Sequence, residues 1–97
     1  MKPSQILKQT TLQQCREDYQ ETPKTACALG AIALGNGWGG YFTKSGAVRK
    51  KYRGSDIEVV LENLGIDFNT QTKVIALNDE KCWTFEQIAA WLEKKGL

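Results

Sequence analysis

The stretch Ala-Cys-Ala-Leu-Gly-Ala-Ile-Ala-Leu, residues 26–34, constrains the fold more than any other part of this sequence. It carries no charge and most of its residues are small, so a helix built from it has no face for water to solvate. Ala26, Gly30 and Ala33 fall on one side and offer a flat strip that another helix backbone can approach closely. Thr22-Pro23 ahead of it reads as a cap followed by proline at the first helical position, and Gly35-Asn36-Gly37 closes it. The expectation is a central, buried helix with the rest of the chain wrapped around it.

Three further helices are expected. Residues 3–19 begin with Pro3, which suits a first turn, and place Leu7, Thr11, Leu12, Cys15 and Tyr19 on one side. Ile6 lies off that stripe, and the Thr10-Thr11 pair is its weak point. The next opens on the capping box Ser55-Asp56-Ile57-Glu58, repeats Ile57, Val60, Leu61 and Leu64 at helical spacing, and stops at Gly65. The last starts at Thr84, with Gln87 completing a second capping box. Trp83 is placed to staple onto Ile88, and Ile88, Trp91 and Leu92 point inward. Between these two helices, residues 67–72 read as a polar loop and Lys73-Val-Ile-Ala-Leu77 as a short strand. Its one available partner is the segment 41–48, so a two-stranded pairing beside the helices is an open alternative. Asn78 and Asp79 read as turn residues whose short side chains bond backbone amides.

A chain of 97 residues with 41% hydrophobic and 25% charged residues is ordinary globular composition, and no repeat or linker divides it. One domain over residues 1–97 is expected, large enough to fold without metal or disulfides. Cys15, Cys27 and Cys82 match no zinc spacing and read as reduced thiols. The first fourteen residues lack the apolar core of a signal peptide, and residues 26–34 cover about half of a membrane span. A cytoplasmic location without membrane association is the corresponding expectation.

Histidine is absent, which removes Ser-His and Cys-His nucleophilic pairs, histidine acid-base work and most zinc and copper sites. Cys27, in the first turn of its expected helix, has two readings: a thiol activated by the helix dipole, or a small core residue. Carboxylates approach one another at Glu17-Asp18, at Glu58 with Glu62, and at Asp79-Glu80, and two acids on one face can do hydrolytic work, but Glu58 and Glu62 lie opposite the apolar stripe of a surface helix and read as a solvated face. Asp67-x-Asn69-x-Gln71 begins like a calcium loop and fails where Thr72 replaces glycine and Asn78 replaces the bidentate glutamate. No cofactor or metal is expected.

The segment 37–53 is where a contact surface is expected. Gly37-Trp38-Gly39-Gly40-Tyr41-Phe42-Thr43-Lys44-Ser45 fails as a phosphate loop because Thr43 stands where glycine must precede the lysine, and as an RNA-recognition strand because its surroundings are helical. Its aromatic residues either fold back as a lid on the small-residue helix or form a binding surface. The basic run Arg49-Lys50-Lys51-Tyr52-Arg53 follows, suited to an acidic protein or, weakly and salt-sensitively, to nucleic acid. Residues 1–54 carry nine Lys and Arg against three Asp and Glu, +6, and residues 55–97 carry four against eight, −4, a polarity able to orient a partner.

Two motifs carry a resemblance. Cys27-Ala-Leu-Gly-Ala31, together with Leu77-Asn-Asp79 followed by a Trp83-Thr-x-Glu-Gln-Ile-Ala-x-Trp91 helix, is similar to a family of small uncharacterised bacterial and phage proteins, domains of unknown function. Some of those proteins have histidine after Leu-Asn-Asp, where this chain has Glu80, Lys81 and Cys82, and some have a CxxC between the two motifs. This chain has neither, so no metal role carries over. The resemblance implies a phage or mobile-element source, a setting in which small helical proteins act by binding host machinery.

The expected architecture is thus mainly α: a compact four-helix domain, with or without a minor two-stranded pairing, and α+β as the alternative. The expected function is a non-enzymatic protein-interaction module, an inhibitor or regulator of a host complex, contacting its protein partner through Trp38, Tyr41, Phe42, Lys44, Arg49, Lys50, Lys51 and Arg53. A weak nucleic-acid binder, and an enzyme using Cys27 or a carboxylate pair, are the alternatives.

Overall fold

The buried run does form a helix, but a smaller one with a different beginning. A computed structural model describes residues 1–43, 45–48 and 54–97, with backbone alone at 54 and 55. Thr22 and Pro23 do not cap a helix. They make the turn of a β-hairpin, where the Thr22 and Thr25 hydroxyls lie 2.7 Å apart and Thr22 N–H donates to Thr25 Oγ1. Strands β2 (Gln20–Thr22) and β3 (Thr25–Ala26) pair antiparallel through it, and β1 (Gln13–Gln14) joins β3 in parallel, giving the order β1-β3-β2.

Helix α2 (Ala28–Leu34) then starts with Cys27 as its N-cap, the thiol accepting from Gly30 N–H at 3.5 Å. Leu29 and Ile32 are fully enclosed, so the helix is central as its composition demands. What approaches its small-residue side is not a second helix but extended chain: Tyr19 crosses at Gly30, its carbonyl accepting from Cys27 N–H at 3.3 Å.

Helix α1 (Pro3–Gln9) is shorter than the expected 3–19. Thr10 turns extended and its hydroxyl accepts from Leu12 N–H at 3.2 Å, a local bond that competes with the helical ladder. The residues beyond become the strand side of the molecule.

Helix α3 (Gly54–Asn63) ends at Gly65, whose φ of +86° lets Ile66 N–H fold back onto Leu61 C=O. The side chain of Ser55, its expected cap, is not among what is described, and Lys44 and Arg49, Lys50, Lys51 and Arg53 of the basic run lie outside the described residues.

Helix α4 (Phe68–Asp79) corrects both the polar loop and the Lys73-to-Leu77 strand. Asp67 caps it by accepting from Thr70 N–H at 2.8 Å, and Gln71, Val74, Leu77 and Asn78 form its buried face. Two of those four residues are polar, so the apolar pattern alone conceals the helical period. Helix α5 (Phe85–Glu93) has the expected reciprocal box: Thr84 N–H donates to Gln87 Oε1 and Gln87 N–H to Thr84 Oγ1. Ile88 and Leu92 are fully buried, while Trp91 is half-buried beneath the Lys95 ammonium, 4.7 Å from its ring centre.

The architecture is therefore mixed α+β: among the described residues, five helices around one core and a small three-stranded sheet at one side. The carbonyl of the C-terminal Leu97 accepts from Ser4 N–H and Oγ at 3.1 Å, and Lys8 pairs with Glu93, tying α1 to the end of the chain. The radius of gyration is 12.3 Å.

Candidate functional site

Of the three expected contact residues that are described, Trp38, Tyr41 and Phe42, Trp38 is the one drawn furthest inside. Its N–H bonds Ala33 C=O at the end of α2, and its ring, 7% exposed, packs edge-on against Tyr41 at 5.1 Å and Tyr19 at 6.5 Å. Trp38 thus belongs to the lid reading. Tyr41 is half-buried and is fixed through its N–H, which donates to the buried Gln20 Oε1 at 2.7 Å. Gly40 sits over the same side chain with φ of +73°, and a Cβ there would lie 2.3 Å from Gln20 Oε1.

Beyond Tyr41 the chain leaves the core. Phe42 and Val48 form an isolated antiparallel bridge, closed by Thr43 N–H to Ala47 C=O at 2.8 Å and by Gly46 in the left-handed region. Phe42 is half-buried, while Val48 is 65% exposed. This small loop follows directly on Tyr41 and leads into the basic run of the sequence.

The Asn78-Asp79 pair does bond backbone amides, but across the fold and not within a local turn. Continuing the β1–β3 register beyond Gln14 and Ala26 places Cys15 opposite Cys27, where Cys15 C=O would accept from Ala28 N–H. Asn78, the penultimate residue of α4 and 1% exposed, occupies that position instead. Its Oδ1 accepts from Ala28 N–H at 3.1 Å and its Nδ2 donates to Cys15 C=O at 2.9 Å. A carboxamide has the donor and acceptor of a peptide group, so the ladder continues through a side chain.

Gln14 Nε2 adds bonds to Asn78 Oδ1 and Trp83 C=O, both 2.7 Å, and Asp79 Oδ1 accepts from Asn78 Nδ2 and from Glu17 N–H. Glu17 is held there at φ of +69°, a conformation uncommon outside glycine. One node thereby joins β1, the start of α2, the end of α4 and the approach to α5.

Beside this node lies a cleft of about 210 Å³ between the 17–19 segment and α4. Leu29 and Val74 supply apolar floor and Ile75, 38% exposed, an apolar lip. Glu17, Asp18 and Asp79 also line it, together with Tyr19. Cys27 reaches the cleft as well, but its own burial pushes the thiol up to about 12, which leaves it protonated and a weak nucleophile at neutral pH. Burial, more than the neighbouring carboxylates Asp18 and Asp79, also raises the Cys15 thiol. Burial is likewise the first cause that raises the Tyr19 hydroxyl, with the negative charge of Glu58 a lesser one.

Sequence reasoning brought Asn78 and Asp79 forward but not Glu17, Tyr19, Val74 or Ile75 as their neighbours. The available signal was Asn78 itself, a polar residue in helical phase with Val74 on a face that is otherwise enclosed. Among the described residues no group of three His, Cys, Asp or Glu side chains comes together as metal ligands, and no helix is long and apolar enough to cross a membrane. No protein-family model, curated protein or solved structure matches the chain.

Proposed function

We propose that the protein works by binding a protein partner, with the Phe42–Val48 loop and the adjoining basic run as the contact surface. The observation that carries this reading is the placement of Val48, 65% exposed and bridged to half-buried Phe42, on a loop that follows directly on the stacked Tyr41. An apolar centre with cations nearby in sequence at Lys44, Arg49, Lys50, Lys51 and Arg53 is the composition of a small interface. Trp38 serves this surface from beneath by holding Tyr41, and an acidic protein is the partner whose charge complements it. Cytoplasmic action on a host complex, as inhibitor or regulator, is the role that follows from the resemblance to small phage and bacterial proteins.

The test is affinity capture from the native host with two baits, the natural chain and a Phe42→Asp, Val48→Asp variant shown by circular dichroism to be folded. A protein retained by the first and lost from the second is expected. The same proteins on both baits would reject the surface. Shifts of random DNA or RNA that weaken steeply with salt, without a captured protein, would replace this reading with nucleic-acid binding.

A further inference from the structure

The cleft beside Asn78 plays no part in that surface, and its chemistry specifies an occupant. Its floor is apolar, at Leu29 and Val74, and Ile75 keeps an apolar side chain at its mouth on the wet face of α4. Every ionisable lining residue among those described is a carboxylic acid, a thiol or a phenol, with no lysine or arginine to neutralise Glu17, Asp18 and Asp79. Cys27 is protonated at neutral pH and adds no charge of its own.

We infer that this cleft is a second docking site, which takes an arginine side chain of a protein partner: the aliphatic stem lies on Leu29, Val74 and Ile75, and the guanidinium meets the carboxylates of Glu17, Asp18 and Asp79. A guanidinium suits it better than an ammonium because it is less strongly hydrated, presents several planar donors to carboxylates and stacks on an aromatic ring, here that of Tyr19. The walls are already built. Asp79 Oδ1 holds Glu17 N–H at 2.9 Å and Tyr19 C=O holds Cys27 N–H, so the backbone of the rim is fixed before binding.

The test titrates the full chain with three probes while following backbone amide NMR shifts: N-acetyl-arginine-N′-methylamide, the corresponding citrulline compound and putrescine. Citrulline keeps the shape of arginine and removes its charge. Arginine is expected to shift the amides of Glu17, Tyr19, Ile75 and Asp79 and to bind about tenfold more tightly than citrulline at low salt, the sum of several exposed ion pairs. A Glu17→Gln, Asp18→Asn variant, both side chains being exposed, should weaken arginine binding by about three- to tenfold. Equal binding of citrulline, shifts confined to another surface, or no shifts at all would overturn the inference. Tighter binding of putrescine than of arginine would also overturn it, in favour of a free diamine.

Discussion

Replacing Gly30 with alanine separates packing from helix propensity because the two predict opposite signs. In a helix interior, glycine to alanine ordinarily stabilises by about 1 kcal/mol. Here a Cβ would lie 1.7 Å from Tyr19 O and 2.7 Å from its carbonyl carbon, both backbone atoms. Restoring an ordinary 3.4 Å contact requires the crossing segment to retreat by about 1.7 Å. The Cys27 N–H to Tyr19 C=O bond, now 3.3 Å, does not survive such a shift.

Overpacking costs about 1–3 kcal/mol, and the stranded buried amide about 1–3 kcal/mol more. Even after the propensity gain, the net loss is about 1–5 kcal/mol, which lowers the melting temperature of a domain this size by about 5–25 °C. Gly35→Ala is the companion variant. Its Cβ would press on the β-branch methyl Cγ2 of buried Ile6, at 2.7 Å, so Ile6 must turn about χ1 at a cost of about 1–3 kcal/mol, but no backbone hydrogen bond is lost. Urea and thermal unfolding followed by circular dichroism measure both. A Gly30→Ala protein as stable as the natural chain, or more stable, would refute the crossing at Tyr19.

Other expectations follow from the same contacts. Thr84→Ala removes the cap of α5 and should cost about 0.5–2 kcal/mol in urea unfolding, with Thr84→Ser restoring most of it; no loss would exclude the capping box as a source of stability. Asn78→Ala strands Ala28 N–H and Cys15 C=O and leaves Gln14 Nε2 with its bond to Trp83 C=O, and about 2–5 kcal/mol should disappear from the unfolding free energy; a loss below about 1 kcal/mol would mean that water replaces the carboxamide at little cost. A thiol reagent should label exposed Cys82 rapidly and leave Cys15 and Cys27 unmodified until the protein unfolds, as mass spectrometry of the native chain can show. The folded Cys27 thiol titrates at about 12 against 9.0 for an unperturbed thiol, so its proton favours the folded state. That contribution is complete below pH 9 and is lost as pH rises towards 12, and a Cys27→Ser variant should flatten the decline in unfolding free energy over that interval.

The fold was legible where one residue's chemistry dominates its neighbours. The Thr84–Gln87 box, the stop at Gly65 and the burial of residues 26–34 all depend on local rules that tertiary contacts left undisturbed. Thr22-Pro23 was ambiguous by nature, because a threonine before proline suits a hairpin turn as well as a helix cap. The paired hydroxyls of Thr22 and Thr25 decide between them, and their pairing is visible only once the strands are placed.

Val74-Ile75 was read as a strand because β-branched neighbours favour one. The helix wins through the Asp67 cap and a buried face that includes Gln71, bonded to Ile66 C=O, and Asn78. A polar residue on such a face looks like a break in the apolar pattern until its distant partners are known. For the same reason the cleft could not be read from sequence: Glu17 and Asp79 meet across a separation of 62 residues.

The claim on which the site depends is that Asn78 continues the β1–β3 ladder through its side chain. Ala28 N–H lies in the first turn of α2, where a helix offers no acceptor of its own, and such amides ordinarily exchange quickly with solvent. Native-state hydrogen exchange at Ala28 is the direct measurement. Protection close to that of Ile32 in the centre of the helix, lost in Asn78→Ala under conditions where that variant is folded, is the predicted result. Exchange at Ala28 as fast as in an exposed first turn, or protection unchanged by Asn78→Ala, would contradict the account.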